Sequence, residues 1–372
     1  MFVPINGLLM ANRSKHSVKK KVRSSSSKAK RTVKKVQPGW ARLPNEELLE
    51  CRLCDLDLSL EGTQVERCLD RLHREIKNCG LRLKPHYWIS DDWFSPDGIP
   101  GIAVPFYMAH PRLRRLERNQ MMEVEGGTQT SCMQILRHEA GHAFDTAYRL
   151  HRRKKYRELF GKYSTPYPET YKPDPNSKSY VNHLKPWYAQ SHPSEDFAET
   201  FAVWLKPRSM WRRDYAGWKA IRKLEYVDEL MSELKSRPPK FKSRAKVDPV
   251  NRLKQTLREH YAERLACYDL SWHEALDSEL KKLFPQIAKS RRSEPASNFL
   301  QKNRKELTRL VAQWTGECHY NVDQVVREMI ARCCEQKLFA SVSRAKTLQN
   351  TVAMLTAHTM RNLHGGNHRV AL

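Results

Sequence analysis

The sequence predicts an α+β fold: a small sheet leading into a long central helix, followed by an all-helical C-terminal region. Three observations predict it. Two short aromatic and β-branched runs, "KPHYWISDDWF" and "GIAVPFYMAHP", flank the turn-forming "SPDGIPG", the pattern of a strand–loop–strand unit. From Thr130 to about Tyr156, residues Met133, Leu136, Ala140 and Phe144 recur at three- and four-residue steps, the period of one helix face. Beyond residue 248 the apolar spacing stays helical and no alternating run interrupts it.

The elements follow in order. Residues 1–45 hold twelve Lys or Arg and no Asp or Glu. Such a segment buries too little apolar surface to offset its ordering entropy, so a disordered tail is expected. Its charge suits nucleic acid or another polyanion, held through residues 13–42 by counterion release; a solvated tail without a fixed partner is the alternative. "EELLECRLCDLDLSLEGTQVERCLDRLHREIKNCGL" reads as helix broken near Gly62. Pro105 makes the second strand an edge strand, and "MMEVE" before Gly126 is a candidate third strand. After the central helix comes "GKYSTPYPETYKPDPNSKSYVNHLKPWYAQSHP", a loop of a length usually reserved for function or disorder. "SEDFAETFAVWL" returns to helical spacing with Ser194 as an N-cap, and "GWKAIRKLEYVDELMSELKS" forms a further helix. The basic, proline-containing "RPPKFKSRAKVDP" marks a boundary. The expected organisation is therefore a tail over 1–45, a domain over 46–240 and a helical region over 248–364.

Bulk properties narrow the classes. At 372 residues, roughly two domains are expected. Mean hydropathy is −0.74, and no apolar run nears the ~18 residues of a spanning helix. "MFVPINGLLM" lacks a basic n-region and makes a poor signal peptide; a transit peptide is a weaker alternative, and a cytoplasmic location is expected. Nine scattered cysteines argue against a disulfide framework. Cys51-Arg-Leu-Cys54 has no second pair at zinc-ribbon spacing and reads as ordinary helical sequence. The formal net charge is +26.

The chemistry concentrates in "ILRHEAGHAFDTAYRL", residues 135–150. Positions four apart share a helix face, so His138 and His142 can aim ring nitrogens at one ion. Glu139 lies beside them, placed to accept a proton rather than to ligate: the HExxH arrangement. A catalytic zinc needs a third protein ligand and an open position for water. HExxHxxGxxH fails, because Asp145 and Tyr148 stand where Gly and His would be needed. Asp145 is a candidate for orienting a ligand histidine, and His183 and His192 are possible ligands from the loop. The favoured completion lies in "WYAQSHPSEDFAETFAVW", where Glu195 and Glu199 are four apart. One carboxylate can reach the metal and the other can hydrogen-bond a ligand histidine; the bland alternative is an acidic first turn complementing the helix dipole. Tyr188, seven residues before Glu195, could donate to an oxyanion.

"HEAGH" followed by Tyr188, Glu195 and Glu199 is similar to the gluzincin layout of the lethal-factor-like peptidases. More closely, "WFSPDGIPGIAVPFYMAHPRL", "LRHEAGHAFDTAYRLHRR", "YVNHLKPWYAQSHPSEDFAETFAVWL" and "GWKAIRKLEYVDELM" resemble the bacterial family described as putative zinc-binding metallopeptidases. The resemblance spans about residues 80–235. It implies a zincin-like metallopeptidase domain whose HExxH helix carries the active site, with one Zn²⁺ held by His138, His142 and Glu195 and with Glu139 as general base. Tyr188 carries over from the lethal-factor layout only. The implied partner is a protein or peptide substrate, aligned by β-addition to the strand near 102–108. Two other readings compete: a nucleic-acid-associated protein using the zinc fold as a scaffold, with "HRRKKYR" and "KSRRS" engaging phosphates beside the tail, and a catalytically silent zincin.

Overall fold

The computed structural model describes residues 37–168, 170–184, 187–266, 273–287, 294–340, 343–364 and 368–369. Contacts divide the chain into residues 1–38 and 39–372; the expected tail, up to residue 36, lies outside the described residues. Residues 39–42, assigned to that tail, form a 3-10 turn, and Trp40 Nε1 donates to Leu56 O.

The described helices are α1 (Asn45–Leu49), α2 (Gln64–Asn78), α3 (Pro111–Met121), α4 (Gln129–Tyr148), α5 (Lys154–Phe160), α6 (Pro193–Leu205), α7 (Trp211–Asp214), α8 (Ile221–Glu233), α9 (Leu257–Ala266), α10 (His273–Leu283), α11 (Ala296–Thr315), α12 (His319–Glu335) and α13 (Arg344–His364). The strands are β1 (His86–Ser90), β2 (Gly101–Pro105), β3 (Thr170–Tyr171) and β4 (His368–Arg369). The fold is mostly helical with a small parallel β1–β2 sheet, consistent with the α+β expectation. A second, antiparallel pair joins β3 to β4.

α4 is the axis of the first core. Thr128 and Ser131 cap its N-terminus reciprocally, satisfying donors the helix leaves open. Arg149 ends it in the left-handed region at φ 52°. Most side chains between are buried, because α2, β2 and α6 all pack against the helix. α2 earns its place through Val65, Cys68, Leu69, Leu72 and Ile76, one apolar stripe at helical spacing. Pro193 opens α6 at a position where a missing N–H costs nothing.

One expectation fails here. "MMEVE" is no strand: Met121 closes α3, and Met122 turns the chain at φ 64°. β2 is an edge strand of its two-stranded sheet, partly covered at one position. It pairs with β1 on one side, while Phe94 bridges Ala103 on the other, with Ala103 N donating to Phe94 O at 2.8 Å.

The segment 235–246 is also not a bare linker. It runs back over the first core, with Ser236 N donating to Gly80 O, Lys240 and Phe241 N donating to Ala147 O, and His86 Nε2 bonded to Ala245 O. α9 then adds Leu257 and Tyr261 to that core. A second core, from Leu276 through Leu300, Val326 and Met329 to Leu355, unites α10–α13.

Candidate metal centre

Helix crossing builds the site. Gly141 lies where α4 meets α6, and a Cβ there would stand 2.7 Å from Ala198 Cα. Glycine's missing side chain is thus what lets the two backbones approach. The residues three before and one after that contact on each helix become the site: His138 and His142 on α4, Glu195 and Glu199 on α6.

Glu195 Oε2 stands 3.0 Å from His138 Nε2 and 3.2 Å from His142 Nε2, and the two ring nitrogens are 3.1 Å apart. His138, His142 and Glu195 are the one group of three or more such residues among the described residues whose ligand atoms converge closely enough for a metal ion. Bonds of about 2.0–2.1 Å in a tetrahedral zinc site set ligand atoms about 3.3 Å apart, close to the separations observed. Two imidazole nitrogens facing a carboxylate at these distances also form a donor set chemically suited to zinc. The residues fit the ion.

The surrounding groups fix this orientation. His138 Nδ1 donates to Glu199 Oε1 at 2.8 Å, and Leu184 N donates to Glu199 Oε2 at 2.7 Å. With its proton on Nδ1, His138 presents the Nε2 lone pair to the site. On Glu195 the second oxygen, Oε1, accepts from the Tyr167 hydroxyl at 2.6 Å and from Ser194 Oγ at 3.3 Å. Tyr167 stacks on His192 with ring centroids 3.8 Å apart. Only Oε2 is thereby left to face the histidines.

Electrostatics follow the same geometry. Burial opposes charge on His138, but the adjoining Glu195 and Glu199 outweigh it and hold its pKa well above the usual range. His142 is raised in the same sense by Glu195. Glu195 is buried, yet the two imidazoles keep its carboxyl well below the ordinary value. Glu139 differs: burial raises its pKa against the pull of His138 and His142, and its Oε2 is buried with no hydrogen-bond partner.

The other expected residues separate. Tyr188 lies in a 3-10 turn beside the cluster, its ring centroid 5.7 Å from that of His138. Asp145 turns away: its Oδ1 accepts from His151 N at 2.7 Å, and both carboxylate oxygens bond His151 Nδ1, so it orients that histidine instead of a site one. His183 Nε2 bonds Gln134 O, while His192 bonds Thr165 O and caps α6; neither joins the cluster. Tyr167 and Ser194 were missed as contacts of Glu195. Ser194 carried a capping signal only, and nothing in the loop's sequence separates Tyr167 from its neighbouring tyrosines.

Residues 102–234 match a family model described as "Putative zinc-binding metallo-peptidase". That segment belongs to this family. The match of the metallopeptidase family takes in β2, α4, the long loop, α6 and α8, and so every residue of the cluster. No curated protein and no solved structure matches the chain. No helix among the described residues is long and apolar enough to cross a membrane.

Proposed function

We propose that the chain is a zinc-dependent metallopeptidase of zincin type with a gluzincin ligand set, cleaving peptide bonds in a protein or peptide. The observation that carries this reading is the convergence of His138, His142 and Glu195 beside an unpartnered, buried Glu139 oxygen. His138, His142 and Glu195 would hold one Zn²⁺, which when bound polarises a carbonyl and lowers the pKa of water towards ~7.

The chain's own groups supply the rest. Glu139 takes a proton from the attacking water and returns it to the leaving amine. Burial raises the pKa of its carboxyl, so it holds a proton more readily than an exposed glutamate until the amine leaves. Glu199 holds His138 in the tautomer that leaves Nε2 free. Tyr188 donates to the oxyanion as the carbonyl becomes tetrahedral. Substrate alignment by pairing at Ala103 is excluded, since Phe94 already occupies that position of β2.

The test is Glu139→Gln in the full chain, with denatured protein and mixed peptides as substrates and fragments read by mass spectrometry. Zinc content should stay at one ion per chain while turnover falls about 10²- to 10⁴-fold. Undiminished turnover would remove Glu139 from the reaction. Substoichiometric zinc in the parent would remove the metal site itself.

A further inference from the structure

A second surface, independent of the metal centre, carries a dense and largely unneutralised positive charge. Along the C-terminal end of α2 and the segment after it, Arg74, Lys77, Arg82 and Lys84 rim a groove of about 630 Å³. Its floor is apolar, with Ile76, Leu81 and Leu83, and Asp70 is the one acid in its lining. Beside it lies the strap 235–246, pinned by its backbone from Gly80 to His86. Arg82 donates to Ser236 O, joining groove to strap. The strap presents Lys235, Lys240, Lys242, Arg244 and Lys246 to solvent and contains no acid.

What separates this surface from other basic stretches is how few counter-charges it has: Arg237 of the strap pairs with Glu233, and none of the other nine cations has a carboxylate within ion-pair distance among the described residues. By contrast, the basic run 151–157 is largely neutralised: Arg153 pairs with Glu233, Lys154 with Glu158 and Lys155 with Glu229. The run 289–293 lies outside the described residues. Nine like charges held on a fixed scaffold repel one another. A polyanion relieves that repulsion and releases its own counterions on binding.

We propose that the groove and strap form a binding surface for duplex nucleic acid, contacting the phosphate backbone without reading bases. The seven-residue run from Gly80 to His86 reaches at most about 20 Å. A duplex carries a phosphate charge every ~1.7 Å of its axis, both strands counted, so over that reach it offers a dense row of anions to the cations. Single strands are bound by stacking bases on exposed aromatic rings, and the strap's one ring, Phe241, is covered by the Arg149 guanidinium at 3.7 Å. A membrane surface would call for an apolar anchor. The large exposed apolar side chains among the described residues, Tyr167, Met210, Ile287 and Trp314, belong to neither groove nor strap.

The experiment compares the full chain with Lys240→Glu, Lys242→Glu, Arg244→Glu and Lys246→Glu combined. A labelled 20-base-pair DNA is titrated by fluorescence anisotropy at several salt concentrations. The parent should bind, and reversal should weaken binding more than tenfold at 0.1 M salt. It should also lower the slope of log Kd against log salt by about 3.6, near 0.9 for each of four phosphates no longer neutralised. Because the N-terminal tail is the same in both proteins, the difference belongs to the strap. The same four positions changed to Gln provide a milder variant should reversal disturb folding, judged by the thermal midpoint. Equal affinity and slope in parent and variants, no duplex binding by the parent, or tighter binding to phosphatidylserine vesicles or polyglutamate than to DNA would each overturn the proposal.

Discussion

Glu195 and Glu199 occupy equivalent places one turn apart on α6, yet they differ in what holds them. Glu199 is wholly buried and saturated by two donors, His138 Nδ1 and Leu184 N. In Glu199→Gln the amide oxygen can serve one of those donors, and the amide nitrogen must then face the other. The expected result is a zinc dissociation constant raised 10- to 100-fold, measured by competition with a chromogenic chelator. Tyr167→Phe should raise it less, because Ser194 still reaches Glu195 Oε1 and the ring can keep its stack on His192. Unchanged affinity in both variants would show that neither contact orients the ligands. The residues whose roles depend on a helical repeat were legible: His138, His142, Glu195 and Glu199 each sit four from a partner. Tyr167 was not, because a loop carries no period, and its place on Glu195 arises only when the chain folds back.

α4 and α6 owe their approach to one missing methyl group. Gly141→Ala puts a Cβ 2.7 Å from Ala198 Cα and 3.1 Å from Ala198 O, backbone atoms with no rotamer to yield. The helices must then separate. Urea denaturation should show a loss of about 1–3 kcal/mol, although alanine is the better helix former by about 1 kcal/mol. Zinc affinity should fall with it, since the ligands divide between the two helices. A more stable variant with undiminished affinity would mean that the crossing tolerates the methyl. α4 and α6 were readable as elements because their apolar positions repeat. α3 was not: its buried face mixes Leu113 and Leu116 with Arg112 and Glu117, and buried ionic groups interrupt the hydrophobic period from which a helix is recognised. "MMEVE" failed for the opposite reason, as a short apolar stretch whose alternation is shorter than the turn it belongs to.

The whole molecule joins distant parts of the chain through the same device. "RPPKFKSRAKVDP" resembles a linker because its side chains are polar. Composition reports that exposure and is silent about the backbone bonds that pin the segment to α4 and β1. The chain then continues into α9, whose Tyr261 and Arg264 reach back to Glu117 of α3 at 2.9 and 3.0 Å. Burial pushes the Glu117 carboxyl up to about 7, against the opposing pull of Arg264 and Tyr261. Its ordinary value is 4.5, so between these limits the folded state holds a proton that the unfolded chain has released. Stability from this group is therefore fully present below about pH 4.5 and declines as pH rises through 7, by about 3 kcal/mol at most from the size of the shift. Glu117→Gln keeps the shape and removes the titration. Denaturation of both proteins at pH 5 and pH 8 should show the variant gaining on the parent by about 1 kcal/mol or more at the higher pH, an order-of-magnitude expectation from the same shift. A stability difference that is the same at both values would mean that Glu117 stays ionised throughout, with Arg264 and Tyr261 together outweighing its burial between α3 and α9.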